Sequence, residues 1–150
     1  MTKRSGTSVV GTAVVGAPPA RVWRALTDPA EVQAWDGSVP LAIPVGYPQA
    51  GQRARWRTRL GPVPVTLFDH VRFVEPDRRL AATVRFGFVT VDEEYRLGPS
   101  ADGGTVVVSD NTVTSRLPGL DRVAAGIVRR STRAAMANLA SHLTKESGTT

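Results

Sequence analysis

The sequence predicts an α+β domain made of an antiparallel sheet and one long C-terminal helix. Three observations predict it. Residues 52–60 alternate strictly, with Arg53, Arg55, Arg57 and Arg59 on one face and Ala54, Trp56, Thr58 and Leu60 on the other, which is the period of a strand with one wet face. Turn residues separate this run from three more alternating runs. From Pro118 to about Lys145, apolar residues recur at helical spacing.

The elements follow in order. Residues 8–16 are β-branched and read as a strand, stopped by Ala17-Pro18-Pro19. Residues 20–27 form a short helix with Val22, Trp23 and Leu26 on its apolar side. Asp28-Pro29 breaks it and opens a second short helix to about Trp35, with Asp28 as N-cap. Residues 41–45 give a short strand interrupted by prolines, and the arginine strand follows it. Gly61-Pro62 turns the chain into residues 63–75, where Val63, Val65, Leu67, Asp69, Val71 and Phe73 share a face. Pro76-Asp77 turns it again into residues 79–86, and Gly87-Phe88 makes a tight hairpin into residues 89–97. A loop over 98–104 leads to the last strand, 105–115.

Tight turns also predict register. Pairing Leu60 with Val63, Glu75 with Arg78 and Phe86 with Val89 sets Ala54 beside Asp69, Asp69 beside Val84, and Val84 beside Val91. All the apolar rows then share one face, which a one-residue slip would destroy. Pairing Leu97 with Thr105 places Glu93 beside Ser109 and Val91 beside Asn111.

The last helix is the one element long enough to cover the sheet's apolar face. Its expected stripe is Leu120, Val123, Ala124, Ile127, Ala134, Ala135 and Leu139, with Arg122, Arg129 and Arg133 toward water. Pro118 suits its start and Ser147-Gly148 its end. Ser131, Asn138 and His142 interrupt the stripe. Polar groups facing a dry core each need a partner, whereas a helix that roofs a cavity can carry them.

At 150 residues and 41% hydrophobic content, the chain is one globular domain. The expected bounds are a single domain over 8–146 with loose tails at 1–7 and 147–150. No apolar run is long enough to span a bilayer, and no signal peptide is expected behind Lys3 and Arg4. The absence of cysteine rules out disulfides and thiolate metal sites and fits a cytoplasmic protein. Two histidines make a histidine metal site improbable, so no metal and no cofactor are expected. Net charge is +6, and every basic residue except Lys3 and Lys145 is arginine. That balance permits an acidic partner without selecting one.

The element order, the segment Ala17-Pro18-Pro19-Ala20-Arg21-Val22-Trp23-Arg24-Ala25-Leu26-Thr27-Asp28-Pro29, the Glu75-Pro76 hairpin and the Gly103-Gly104-Thr105 strand start resemble the START-like, or SRPBCC, superfamily, and within it the polyketide cyclase/dehydrase branch. The resemblance implies the helix-grip fold, a curved seven-stranded antiparallel sheet wrapped around the C-terminal helix with a hydrophobic cavity between them. It implies ligands such as lipids, sterols or polyketides. It carries over no catalytic residue.

Asp69 interrupts an inward apolar row, and an unpaired carboxylate there has a raised pKa suited to acid or base work; a salt bridge to an arginine, or a strand end splayed to solvent, is the ordinary alternative. Glu93 and Tyr95 share an inward face two strands away, with Glu93 roughly 12 Å from Asp69 along the sheet. Tyr95 can donate to a carbonyl or simply pack. Trp35, Trp56, Phe73 and Phe86, with Leu67, Val84 and Val91, would line a cavity suited to a flat or fused-ring ligand. Asn111, Ser131 and Asn138 would orient a ligand or hold water. His70 faces outward. The arginine row reads as a solvated convex face or as a docking face for an acidic carrier protein; nucleic acid is not expected, because the row carries no interleaved aromatics on its own face and no RNA motif is present.

Two functions therefore stay open. One is a cofactor-independent cyclase or dehydratase acting on a hydrophobic, carbonyl-rich molecule. The other is a non-catalytic carrier of a lipid-like ligand. A basic interaction face is a third, and the protein is expected to be a monomer or homodimer.

Overall fold

The computed structural model describes residues 6–147. The order is β1 (Thr7–Val15), α1 (Pro19–Thr27), α2 (Pro29–Asp36), β2 (Val39–Ala42), β3 (Arg53–Leu60), β4 (Val63–Glu75), β5 (Arg79–Phe86), β6 (Val89–Pro99), β7 (Thr105–Ser115) and α3 (Leu120–Ser147). The strands form one antiparallel sheet in the order β1-β7-β6-β5-β4-β3-β2. This is the helix-grip arrangement, with α3 laid across the inner face. No helix among the described residues is long and apolar enough to cross a membrane.

Local chemistry fixes the early elements. Pro19 opens α1, where its missing N–H costs nothing. The Asp28 carboxylate accepts from the Ala30 N–H at 3.0 Å, the N-cap of α2. Gly37, with φ 81°, ends α2 in the left-handed region. The indole N–H of Trp35 donates to the carbonyl of Ala25 at 2.8 Å and ties α2 to α1.

Most of the predicted register holds. Leu60 pairs with Val63, Ala54 with Asp69, Asp69 with Val84, Val84 with Val91, and Phe86 with Val89. Two places differ. A bulge between Val71 and Phe73 shifts the end of β4, so Glu75 pairs with Arg79 instead of Arg78. One extra residue reverses every side chain beyond it. Phe73 therefore faces out, 40% exposed, with the Arg79 guanidinium 4.8 Å from its ring centre, and it does not line the cavity as expected. The second difference lies between β6 and β7. β6 runs on through Gly98 and Pro99, so Leu97 pairs with Val107, and the register moves by two residues. The faces are unchanged, but Glu93 now lies opposite Asn111, and Tyr95 opposite Ser109.

Other boundaries also move. β2 covers Val39–Ala42 instead of 41–45, because Pro44 cannot donate to a ladder. Thr7, expected in the tail, pairs with Val113 in β1. Residues 1–5 and 148–150 of the expected tails lie outside the described residues, while Ser147 closes α3.

α3 begins at Leu120, after Gly119 at φ 83°, not at Pro118. Its buried seam is Ala124, Ala125, Met136, Leu139 and Leu143, packed against β1 and β7. The expected stripe is therefore rotated: Leu120, Val123 and Ile127 are exposed. The close approach of helix and sheet depends on Gly11. A Cβ there would stand 2.6 Å from the Thr132 methyl, a distance no real contact shows.

Candidate functional site

Because α3 sits over β1 and β7, the inner face of β3, β4 and β5 is left without a helix on it. The space is a cavity of about 780 Å³, well within the range for small-molecule sites. Its rim includes exposed residues of the β3–β4 hairpin and of α3, among them Arg59, Gly61, Val123, Ile127 and Arg130.

The period-two pattern of each strand supplies the walls. Trp56 projects from β3, Leu67 and Asp69 from β4, Val84 and Phe86 from β5, and Val91, Glu93 and Tyr95 from β6. Asn111 comes from β7, Trp35 from α2, and Ser131 and Asn138 from α3. The structure thus brings twelve of the thirteen sequence-expected site residues around one space, and leaves out Phe73. His142, which also interrupts the stripe, lies elsewhere. Its Nε2 is 3.1 Å from Glu31 Oε1, and Glu31 also accepts from Arg21 and Arg24. That cluster joins α1, α2 and α3.

Asp69 is 7% exposed. Its Oδ2 accepts from the Tyr47 hydroxyl at 2.6 Å, and its Oδ1 is buried with no hydrogen-bond partner. Burial raises its pKa, while the Tyr47 hydroxyl, the neighbouring Trp56 and the charge of His70 oppose the shift. The expected alternative, an arginine salt bridge, is absent among the described residues.

Glu93 has neither a hydrogen bond nor an ion pair to another described residue. Protein surrounds it, and its exposed surface faces the cavity. Burial, then the charges of Asp69 and Asp36, raise its pKa to about 8. Tyr95 is pushed well above its usual value by burial and then by Glu93 and Asp36, with the Ser109 hydroxyl opposing the shift. Both are therefore largely protonated at neutral pH, and each can present a proton to a ligand.

Two residues that the sequence reading missed complete the site. Tyr47 lies in the loop before β3, with its ring edge-on to Trp56 at 6.2 Å between centres. Burial, then the charge of Asp69, raises its pKa. Asp36, at the end of α2, borders the cavity beside Ser38, whose hydroxyl donates to it, and burial raises its pKa. Neither sits in a periodic run, so the pattern carries no signal of them. Asn111 has a fold-building task, donating to the Val9 carbonyl at 3.3 Å and to Ser109 Oγ at 3.1 Å. Among the described residues, no group of His, Cys, Asp or Glu is arranged to hold a metal ion.

The outer face of the sheet carries the arginine row. Arg53, Arg55, Arg57 and Arg59 are exposed and make no ion pair among the described residues. The register adds a feature the single strand does not show: exposed Phe68 stands between Arg55 and Arg85, and His70 between Arg53 and Thr83. Desolvation and the guanidiniums of Arg72, Arg53 and Arg85 lower the pKa of His70.

Comparison with known proteins agrees with this architecture. The fold is similar to that of the ZhuI aromatase/cyclase from Streptomyces sp. R1128, with a TM-score of 0.78 and 17% identity over 95% of this chain and 96% of that one. A START superfamily protein from Mycobacterium smegmatis gives a TM-score of 0.77 with 12% identity, covering 94% and 99%. DynU16, from the dynemicin biosynthetic locus, gives 0.71 with 23% identity, covering 93% of this chain and 48% of that one, so this chain spans about half of DynU16. At these identities the likeness is one of fold. No curated protein matches the sequence. Residues 6–144 match the family described as polyketide cyclase / dehydrase and lipid transport, and the chain belongs to that family.

Proposed function

We propose that the protein binds a hydrophobic molecule of polyketide, lipid or aromatic character between the sheet and α3, and exchanges protons with it through Glu93 and Asp69. Tyr95 holds an oxygen of the ligand, and the walls of Trp35, Trp56 and Phe86 contact its flat faces. The observation that carries this reading is Glu93, a carboxyl that faces the cavity and has no partner among the described residues. Evolution rarely leaves a buried polar group without a partner unless a ligand or a reaction uses it. The family's breadth, from cyclases and dehydrases to lipid transport, supports the ligand class.

The test is native mass spectrometry of the purified protein, followed by turnover of the retained or screened ligand by Glu93→Gln and Asp69→Asn. Both variants keep the shape of the site and remove its exchangeable proton. Bound ligand with turnover lost supports catalysis. A tightly held, chemically unaltered ligand that both variants still bind supports the second reading, a carrier, which the long aliphatic edge of the cavity at Leu67, Val84 and Val91 favours. Failure to retain or bind any hydrophobic ligand overturns both.

The convex face supports a subsidiary proposal, docking of an acidic protein that delivers the ligand. Arg55 and Arg85, exposed and without an ion pair among the described residues, flank Phe68 and supply the charge and the aromatic anchor that such contacts use.

A further inference from the structure

The ionisable groups deep in the cavity, among the described residues, are acids. Asp36, Asp69 and Glu93 come from α2, β4 and β6 and converge on one space. The basic residues in its lining are Arg59 and Arg130, both exposed and both on the rim. No lysine or histidine lines it. Tyr47 and Tyr95 are the remaining titratable groups that face the acids, and a phenol donates without supplying a countercharge. Buried carboxyls in folded proteins are ordinarily paired. Here half-buried Glu93 has no partner among the described residues, and Asp69, 7% exposed, keeps one oxygen without a donor.

The wall chemistry around them is aromatic. Trp56 and Tyr47 border Asp69, and Trp35, Phe86 and Tyr95 contribute further rings. Aromatic faces attract cations as well as apolar surface. A carboxylate ligand brought to the same depth would meet three acids and no buried cation among the described residues. The missing partner is therefore a cationic donor that also carries a hydrophobic body.

We infer that the molecule held deep in this cavity carries a basic nitrogen, whose ammonium group lies against Glu93 and Asp69 while its hydrophobic body lies on the aromatic wall. This rests on the reading of the cavity as a ligand site. When the ammonium enters, Glu93 releases its proton to solvent and the ion pair forms, so binding is accompanied by proton release.

Three probes of one chain length separate the possibilities: dodecylamine, dodecanol and dodecanoate at micromolar concentration and pH 7, measured by calorimetry in two buffers of different ionisation enthalpy. The expected order is amine first, alcohol second and dodecanoate last, with roughly tenfold or more between amine and dodecanoate. Amine binding alone should release a proton. Glu93→Gln should abolish that release and bring the amine close to the alcohol; where that variant does not fold, Asp69→Asn should narrow the gap between amine and alcohol. Dodecanoate binding as tightly as dodecylamine, or an amine preference untouched by both variants, overturns the inference while the ligand cavity stands. No binding by any of the three overturns the cavity reading itself.

Discussion

The Tyr47 hydroxyl donates to Asp69 Oδ2 at 2.6 Å, across a gap of 22 residues in sequence. This bond closes the inner corner of the cavity with a loop residue and satisfies Oδ2 of the buried Asp69 carboxyl. Tyr47→Phe should therefore destabilise the protein by about 1–3 kcal/mol, the cost of stripping a partner from a buried polar group. Urea unfolding at pH 7 measures it. A loss below a few tenths of a kcal/mol would show that the bond is not formed in solution.

Glu93 makes stability depend on pH. Its folded pKa, about 8, lies above the 4.5 of the unfolded chain, so between those values the folded state holds more protons. The proton on Glu93 thus favours folding below pH 4.5, and that contribution is lost as pH rises toward 8. The expected slope in this window is a fall of up to about 1.4 kcal/mol per pH unit from this one group. Glu93→Gln should flatten it. Unfolding curves at pH 5, 6 and 7.5 for both proteins decide the matter, and parallel pH profiles would remove Glu93 as the cause.

Gly11 sets the distance between sheet and helix. Gly11→Ala places a methyl where Thr132 now packs, so α3 must shift or the side chain must turn. The expected cost is about 1–3 kcal/mol, read as a lower Tm. Pairing it with Thr132→Ser, which removes the obstructing methyl, should restore part of the loss.

Phe73 and Phe86 separate the two faces of the sheet. Phe73→Ala removes an exposed ring that a guanidinium covers and should cost about 0.5–1 kcal/mol, with no effect on ligand binding. Phe86→Ala changes the cavity wall and should weaken binding of any aromatic ligand. The two variants assayed side by side with one fluorescent hydrophobic probe make the comparison. Equal effects would contradict the placement of the bulge.

That bulge also marks how far the sequence could be read. Turns at Gly61-Pro62 and Gly87-Phe88 fixed the register around Asp69, Val84 and Val91, because turn geometry and hydrophobic alternation agreed there. The extra residue at Arg72 left no mark in the pattern, since Phe73 continues the apolar alternation from Val71 and reads as inward. The rotation of α3 was hidden for a related reason. Its cavity-facing edge and its packed seam are both rich in small apolar residues, and only the sheet's position tells them apart. Tyr47 and Asp36 belong to a loop and a helix end, where long-range contacts determine which side chains point inward.

The pairing of β1 with β7 has a consequence for how the chain is made. Val9 receives a hydrogen bond from Asn111, 102 residues later, and Ala17 receives one from Thr105, 88 residues later. The first strand of this domain in chain order is thus among the last to find its neighbour. Until Thr105–Ser115 is synthesised, β1 has no strand to pair with, while β3 to β6 can already zip through their hairpins. Assembly is then a local meander followed by a long-range closure, and closures of that span are slow and leave strand edges open to wrong partners. The chamber that would hold a ligand comes into being only at that final step.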